Sequence, residues 1–539
     1  TISIKLKIIY RMLVMSNSTN FIPENISSIG DFVEGFFTQH AAVPAYTALG
    51  QTYSYAQIDA ASAQFASYCV NQLGLNVGDR IAIQLPNVLQ NPIAVYGAFR
   101  AGLVVVNTNP LYTPREMKHQ FNDSGAKALV ILADFLPKYD EIAEDVAIES
   151  VIITSATELL MPNTAPEHTE HVHFTNVLAQ GALADLPPRT GIDINDVAAL
   201  QYTGGTTGVS KGAALSHSNI ISNCIQTLGR LGDNFDIQAE MVVCPLPLYH
   251  IYAFTVCMMA FASRGAHTLL IPNPRDPDAF IAAIKPHQFT TFAGINTLFV
   301  GLASHPDFKT CDFSKLKLTI SGGTALTQAA VDAWRSVTGC EITEGYGLSE
   351  TAPVAAFNEV GNEQYGTVGL PVDGTEIAIL ADDGSQLPQG ESGEIAIRGP
   401  QVMLGYWQRP DATAEVMTAD GYFKTGDVGI ILNNGCIKIV DRLKDMIIVS
   451  GFNVYPNEVE EVLTLHPSVL EAAVIGKPDD KTGERVCAYV ALKNTVDTDD
   501  IEAHCRKLLT AYKVPKEIHI LDELPKSSVG KLLRRMLRD

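Results

Sequence analysis

YTGGTTGVSKGAALSH, running from Tyr202 to His217, decides how this chain is read. Gly204, Gly205 and Gly208 free the backbone to turn its N–H groups onto an anion. Thr203, Thr206, Thr207 and Ser210 add hydroxyl donors, and Lys211 adds a positive charge. Such a loop suits a polyphosphate. It is not the GxxxxGK[ST] nucleotide loop, in which glycine directly precedes the lysine, because Ser210 stands in that place. Taken alone, the segment would also serve as an ordinary glycine-rich turn.

Outward from the loop, Val197 to Tyr202 leads in as an apolar strand, and similar strands recur at Thr268 to Ile271, Phe289 to Phe292 and Leu316 to Ser321. Upstream, Asp79 to Leu85 reads as a strand ended by Pro86, Leu89 to Ala101 as a helix closed by Gly102, and Val104 to Asn107 as a further strand. Thr113 as cap, Pro114 in the first turn and Glu116 at the capping-box position predict a helix from Pro114 to Ser124 ended by Gly125. A strand from Ala128 to Leu132 follows. This alternation predicts an α/β fold of stacked layers. From Gly366 to about Leu432 short runs broken by Asp383-Gly384, Gly390 and Gly393 predict a small β-barrel or distorted sheet. Beyond the charged stretch Asp441 to Asp445, the segments Asn457 to Leu465, Leu470 to Ile475, Val486 to Leu492, Ile501 to Ala511 and Ile518 to Leu521 predict a compact α+β unit.

The 539 residues, 46% hydrophobic, suffice for several domains or subdomains. A net charge of -21 disfavours nucleic acid and a broad electrostatic grip on anionic lipid. Nine cysteines without a CxxC pair predict reduced, buried thiols and a cytoplasmic setting. Residues 1–15 are basic and apolar without a cleavage site, and are read as a leader outside the fold, with Met12 or Met15 as a start. No run of the length of a spanning helix appears.

Four further motifs follow the loop in order: ITEGYGLSETAP (Ile342 to Pro353), GYFKTGDVG (Gly421 to Gly429), IVDRLKDMIIVSGFNVYPNEVE (Ile439 to Glu460) and LPKSSVGKLLRR (Leu524 to Arg535). With them, the chain from about Asp31 onward resembles the adenylate-forming superfamily of acyl-CoA synthetases, nonribosomal-peptide adenylation domains and luciferases. PLPLYHIYAFT (Pro245 to Thr255), NPLYTPREM (Asn109 to Met117) and GPQVMLGYWQRPDAT (Gly399 to Thr413) are most similar to bacterial long-chain fatty-acid-CoA ligases. The resemblance implies an adenylation domain over residues 16–443, with the barrel-like part at 366–432, and a mobile C-terminal lid over 444–539. It implies ATP, Mg²⁺ and coenzyme A as cofactors and a fatty acid as substrate, activated through an acyl-adenylate.

By the same resemblance, Thr203, Gly204, Gly205, Thr206, Thr207, Gly208 and Lys211 would hold the β and γ phosphates. Gly323, Glu344, Gly345, Tyr346 and Gly347 would line the adenosine pocket, Tyr346 stacking adenine. Glu350 would hold Mg²⁺ and Thr351 the α-phosphate. Asp427 accepts from both ribose hydroxyls, with Arg442 as a donor fork beside it. Lys531 bridges the substrate carboxylate and α-phosphate, His250 lines the acyl entrance, and Lys444 is the hinge. Gly451, Phe452 and Asn453 approach coenzyme A. Tyr252, Phe254, Thr255, Gly294, Asn296, Leu298, Phe299 and Gly322 form the acyl pocket, the small residues leaving room for the chain. Lys526 and Arg534 are read as surface charges.

Ile251 to Ala260 contains no acid to grip an α-amine, and no carrier module follows Asp539, so the expected acceptor is coenzyme A. The short, non-basic segment Ala165 to Asn195 argues against tight membrane association, leaving room for weak peripheral contact on the inner membrane face and for an oligomer. A medium-chain or aryl-CoA ligase, a fatty acyl-AMP ligase and a catalytically silent acyl-binding protein stand as alternatives. The last is expected to have lost Glu350, Asp427 or Lys531, and all three are present.

Overall fold

The helix at Pro114–Ser124 shows how closely local chemistry sets this backbone. Thr113 accepts from the Glu116 N–H while the Glu116 carboxylate accepts from the Thr113 N–H, and Gly125 closes the helix at a φ of 62°. The computed structural model describes residues 22–160, 171–203, 210–527 and 530–538. The leader at 1–15 and Gly204, Gly205, Thr206, Thr207 and Gly208 of the phosphate loop lie outside the described residues.

Two large sheets form the body. One runs Gly405–Tyr406, Lys211–Ser216, Val197–Thr203, Val104–Asn107, Arg80–Gln84, Ala126–Leu132, Ser150–Thr154, Val172–His173, and is parallel from Val197–Thr203 onward. The other has nine strands, with a parallel block formed by Ile342–Gly347, Leu318–Ser321, Thr291–Gly294, Met241–Cys244, His267–Leu270 and Pro44–Ala48. Parallel sheets need cover on both faces. Helix Gln90–Arg100 is accordingly buried along its whole length, its one cation, Arg100, being paired with Glu34 and Asp59. Ile81, Val105 and Ala199 of the first sheet and Val242, Ala293 and Ile320 of the second belong to one continuous apolar core.

The barrel expected at 366–432 is instead an open antiparallel sheet of four strands, Glu376–Leu380, Ser392–Arg398, Phe423–Ile431 and Ile437–Arg442. Among the described residues, no pairing joins its two outer strands, so alternation of short strands was right and closure was not. A fourth sheet, built on the long hairpin Val469–Asp479 and Gly483–Leu492, carries helices Pro456–Thr464 and Thr498–Leu508. All nine cysteines are buried and free. No helix among the described residues is long and apolar enough to cross a membrane.

Candidate active site

Parallel strands of both sheets carry motif residues at their C-terminal ends, the side on which open α/β sheets place their ligands. Val197–Thr203 delivers Thr203, which pairs across the loop with Lys211. Leu318–Ser321 runs into Gly322 and Gly323, and Ile342–Gly347 delivers Glu344 to Gly347. Two glycines here are dictated by space. A Cβ on Gly347 would lie 1.9 Å from the Pro353 carbonyl oxygen, and one on Gly345 would lie 2.5 Å from the Phe357 ring.

The four-stranded sheet adds a charged wall. Asp427 and Arg442 are directly opposite on adjacent strands, and Arg442 Nε lies 3.1 Å from an Asp427 carboxylate oxygen. The other oxygen accepts the Tyr346 hydroxyl at 2.6 Å. Arg442 stays half exposed while Asp427 is 4% exposed, so the acid is held in place by donors on two sides. Glu350 is buried and accepts the Tyr406 hydroxyl at 2.8 Å; burial holds its carboxyl above the usual carboxylate range. Burial likewise pushes Glu344 up to about 8, against the Leu326 N–H that donates to its carboxylate. Thr351 is fully buried, donating its hydroxyl to the Pro353 carbonyl.

Lys531 reaches this wall from the C-terminal unit. Its loop is docked by Arg275, which donates to the Ser527 carbonyl, and by Gly530 against Ile295 and Thr297. The Lys531 chain then lies over Gly323, its Cε 3.7 Å from where a Cβ would stand. Desolvation, with help from the Arg442 charge, lowers its ammonium to about 8. His250, hemmed in by protein although part of its surface is open, is pushed down to about 3 by desolvation and then by the Lys531 charge, and is therefore neutral. Lys444 is exposed in the tight turn Arg442 to Asp445, where the Asp445 N–H donates to the Arg442 carbonyl; its ammonium is lowered to about 8. Gly451 has a φ of 83° with open space beside it, and the exposed Phe452 stacks on Tyr512 at 4.9 Å. Asn453 is exposed on the same strand.

The acyl-pocket residues divide. Tyr252 immediately precedes the π-helical segment Ala253–Ala260, a form found at functional sites, and its hydroxyl donates to the Ile320 carbonyl beside Gly322. Asn296 is engaged by Thr327, and Leu298 is half-buried beside it. Phe254 and Thr255 are fully buried in the core, and Phe299 packs on Trp334 at 4.9 Å. Gly294 corrects its reading as open space, because the Phe299 ring occupies the volume of the missing Cβ, 2.7 Å away. Lys526 and Arg534 are not surface charges either: Lys526 pairs with Glu471, and Arg534 forks onto Glu460 beneath the Lys531 loop. Tyr406 and the acids around Arg534 are the participants that sequence reasoning missed. Tyr406 falls within a quoted motif, but its target, Glu350, is remote in sequence.

Strand ends that carry a carboxylate-arginine pair and are met by a desolvated lysine from the C-terminal unit fit an α/β enzyme of the nucleotide-dependent, adenylate-forming class that the motifs resemble. The chain belongs to the family of AMP-binding enzymes, whose model matches residues 34–407, with the C-terminal domain of those enzymes matching 458–531. It is 42% identical to a long-chain-fatty-acid–CoA ligase of Yersinia pestis, covering 96% of this chain and 95% of that one. To the Escherichia coli protein of the same name it is 41% identical, over 97% and 96%. The solved structure of ATP-bound MatB from Rhodopseudomonas palustris superposes with a TM-score of 0.83 at 29% identity, covering 95% of this chain and 98% of that one.

Proposed function

We propose that the chain is a long-chain fatty-acid-CoA ligase: the fatty carboxylate attacks the α-phosphorus of ATP and expels pyrophosphate, and the coenzyme A thiolate then attacks the acyl carbonyl and expels AMP. The observation that carries this is the meeting of Lys531 with the wall formed by Asp427, Arg442 and Glu350. Two anions must meet in the first step, so a positioned ammonium is the group that this chemistry lacks in water. The relatives named long-chain-fatty-acid–CoA ligase, and the lack of any acid in Ile251 to Ala260, support the acyl class.

In this reading Asp427 accepts from the ribose hydroxyls, Tyr346 stacks the adenine, and Thr203 and Lys211 hold the phosphates beside the loop glycines. Residues 16–443 form the adenylation domain and 444–539 the lid, turning at Lys444 so that Gly451, Phe452 and Asn453 meet coenzyme A. Glu350 fits magnesium: it is a desolvated carboxylate that accepts a neutral hydroxyl, and among the described residues no lysine or arginine forms an ion pair with it. When bound, the ion offsets phosphate charge. His250, held neutral, presents an uncharged ring to the acyl group.

The test is incubation with ATP, magnesium, palmitate and coenzyme A. Acyl-CoA, AMP and pyrophosphate are expected, and ADP would overturn the reading; a preference for octanoate or cinnamate would keep the adenylation and change the substrate. Asp427→Ala is expected to lower kcat/KM for ATP about ten- to a hundredfold while leaving KM for fatty acid in place, the loss of a charged hydrogen-bond acceptor. Unchanged ATP kinetics would remove Asp427 from the ribose site.

A further inference from the structure

We propose that Tyr406 is a positioning residue that locks the phosphate-loop lysine, Lys211, and the carboxylate of Glu350 into one unit. The inference rests on the adenylation reading above, which gives those two groups their ligands. One side chain touches both: the Tyr406 hydroxyl donates to Glu350 Oε1 at 2.8 Å, and Lys211 Nζ lies 5.2 Å from the centre of the Tyr406 ring. The ring face attracts the ammonium while the phenol holds the acid, so the opposite charges are kept at a set spacing without neutralising each other in a direct ion pair. A lysine free to pair with Glu350 would be withdrawn from phosphate, and the acid from the metal.

The backbone around Tyr406 is fastened to both partners. Gly405 and Tyr406 pair antiparallel with Ala214 and Ala213 on the strand that begins at Lys211, and the Trp407 N–H donates to Gly212 at 2.7 Å. On the other side the Met403 N–H donates to the Glu350 carbonyl at 2.8 Å. Thr413 Oγ1 accepts from the Tyr406 N–H at 2.9 Å and donates to the Arg409 carbonyl, fixing the turn from beneath. Gly405, at a φ of 146°, leaves room for that threonine, which lies 2.8 Å from where a Cβ would stand. The stretch from Met403 to Trp407 is thus a strap between the metal-side turn and the phosphate-side strand, and Tyr406 is its one side chain that reaches both functional groups.

The two contacts separate by substitution. Tyr406→Phe keeps the ring and removes the hydroxyl; Tyr406→Leu removes both. Binding of a non-hydrolysable ATP analogue is measured by calorimetry with and without magnesium, alongside thermal midpoints and the magnesium dependence of AMP release. Tyr406→Phe is expected to raise the magnesium concentration for half-saturation about tenfold, the loss of one hydrogen bond to a charged acceptor, with metal-free nucleotide affinity unchanged. Tyr406→Leu is expected to weaken metal-free nucleotide binding as well. Wild-type magnesium dependence in Tyr406→Phe, when Glu350→Gln shifts it, would overturn the role of Tyr406. No shift in Glu350→Gln would overturn the metal reading of Glu350 itself. Equal losses with and without magnesium in Tyr406→Phe would reduce Tyr406 to packing and also overturn the proposal.

Discussion

Lys531→Ala should abolish acyl-adenylate formation, by about a hundred- to a thousandfold or more, yet still convert supplied acyl-adenylate to thioester in the presence of coenzyme A. The ammonium reaches over Gly323 into a cleft that also holds Asp427 and Glu350, so two carboxylates are already present before a carboxylate and a triphosphate arrive. Arg442 is already engaged by Asp427, so removing the Lys531 charge exposes the repulsion of the first step. The second step joins a thiolate to an acyl group already activated and does not require it. Loss of both half-reactions to the same extent in a folded variant would refute this division of labour.

The same residue sets a pH limit. Burial lowers Lys531 from its ordinary value to about 8, so the free enzyme carries the charge below that pH and loses it above. kcat/KM for adenylation should therefore fall as pH rises through about 8. Because arginine stays charged throughout, Lys531→Arg should remove that alkaline limb from whatever activity it retains. Lys444, also lowered to about 8, lies in the turn rather than over Gly323; an unchanged limb in Lys531→Arg would transfer the titration away from Lys531.

Where the chemistry is local, the sequence was sufficient. Thr113, Pro114, Glu116 and Gly125 satisfy the ends of their own helix and need nothing distant, and the strand at Val104–Asn107 is likewise where its apolar run places it. The motif residues Lys531, Glu350 and Asp427 meet in one cleft, but their identification came from resemblance; no pattern within the chain says that positions so remote converge. Barrel closure was illegible because alternation fixes which face a side chain takes and says nothing about which edges pair. Gly294 was misread for a similar reason, since its vacancy serves a ring, Phe299, that neighbours it only in the fold. Tyr406 and Arg534 have partners on other elements, and a tyrosine or an arginine carries no local sign of such partners.

Arg534→Ala should destabilise the protein by about 3–5 kcal/mol, more than its place near the chain terminus suggests. The guanidinium is 15% exposed and donates to both carboxylate oxygens of Glu460, at 2.9 and 2.7 Å, and to Asn457 at 2.7 Å. Asp445 lies at 3.4 Å and Asp441, whose side chain is fully buried, at 3.9 Å. Asp441 in turn accepts from the Asn457 and Arg442 N–H groups, so the turn holding Lys444 is bracketed by two acids that face one arginine. Removing that arginine leaves two poorly hydrated carboxylates, Glu460 and Asp441, without their shared cation, while Asp445 keeps Arg538 at 2.9 Å. Desolvation already raises Asp441 to about 6 against an unfolded value of 3.8. A carboxyl raised on folding favours the native state most below its unfolded value, and this advantage is lost as pH rises through the folded one. Without Arg534 the rise is larger, so the deficit of Arg534→Ala should be greatest above pH 6 and shrink as the solution is acidified toward pH 4. Arg534→Lys, which restores charge without the fork, should recover part of it. Denaturant midpoints across that pH range decide the matter: a loss that does not vary with pH would mean that packing, and not the buried charge, explains why Arg534 is needed.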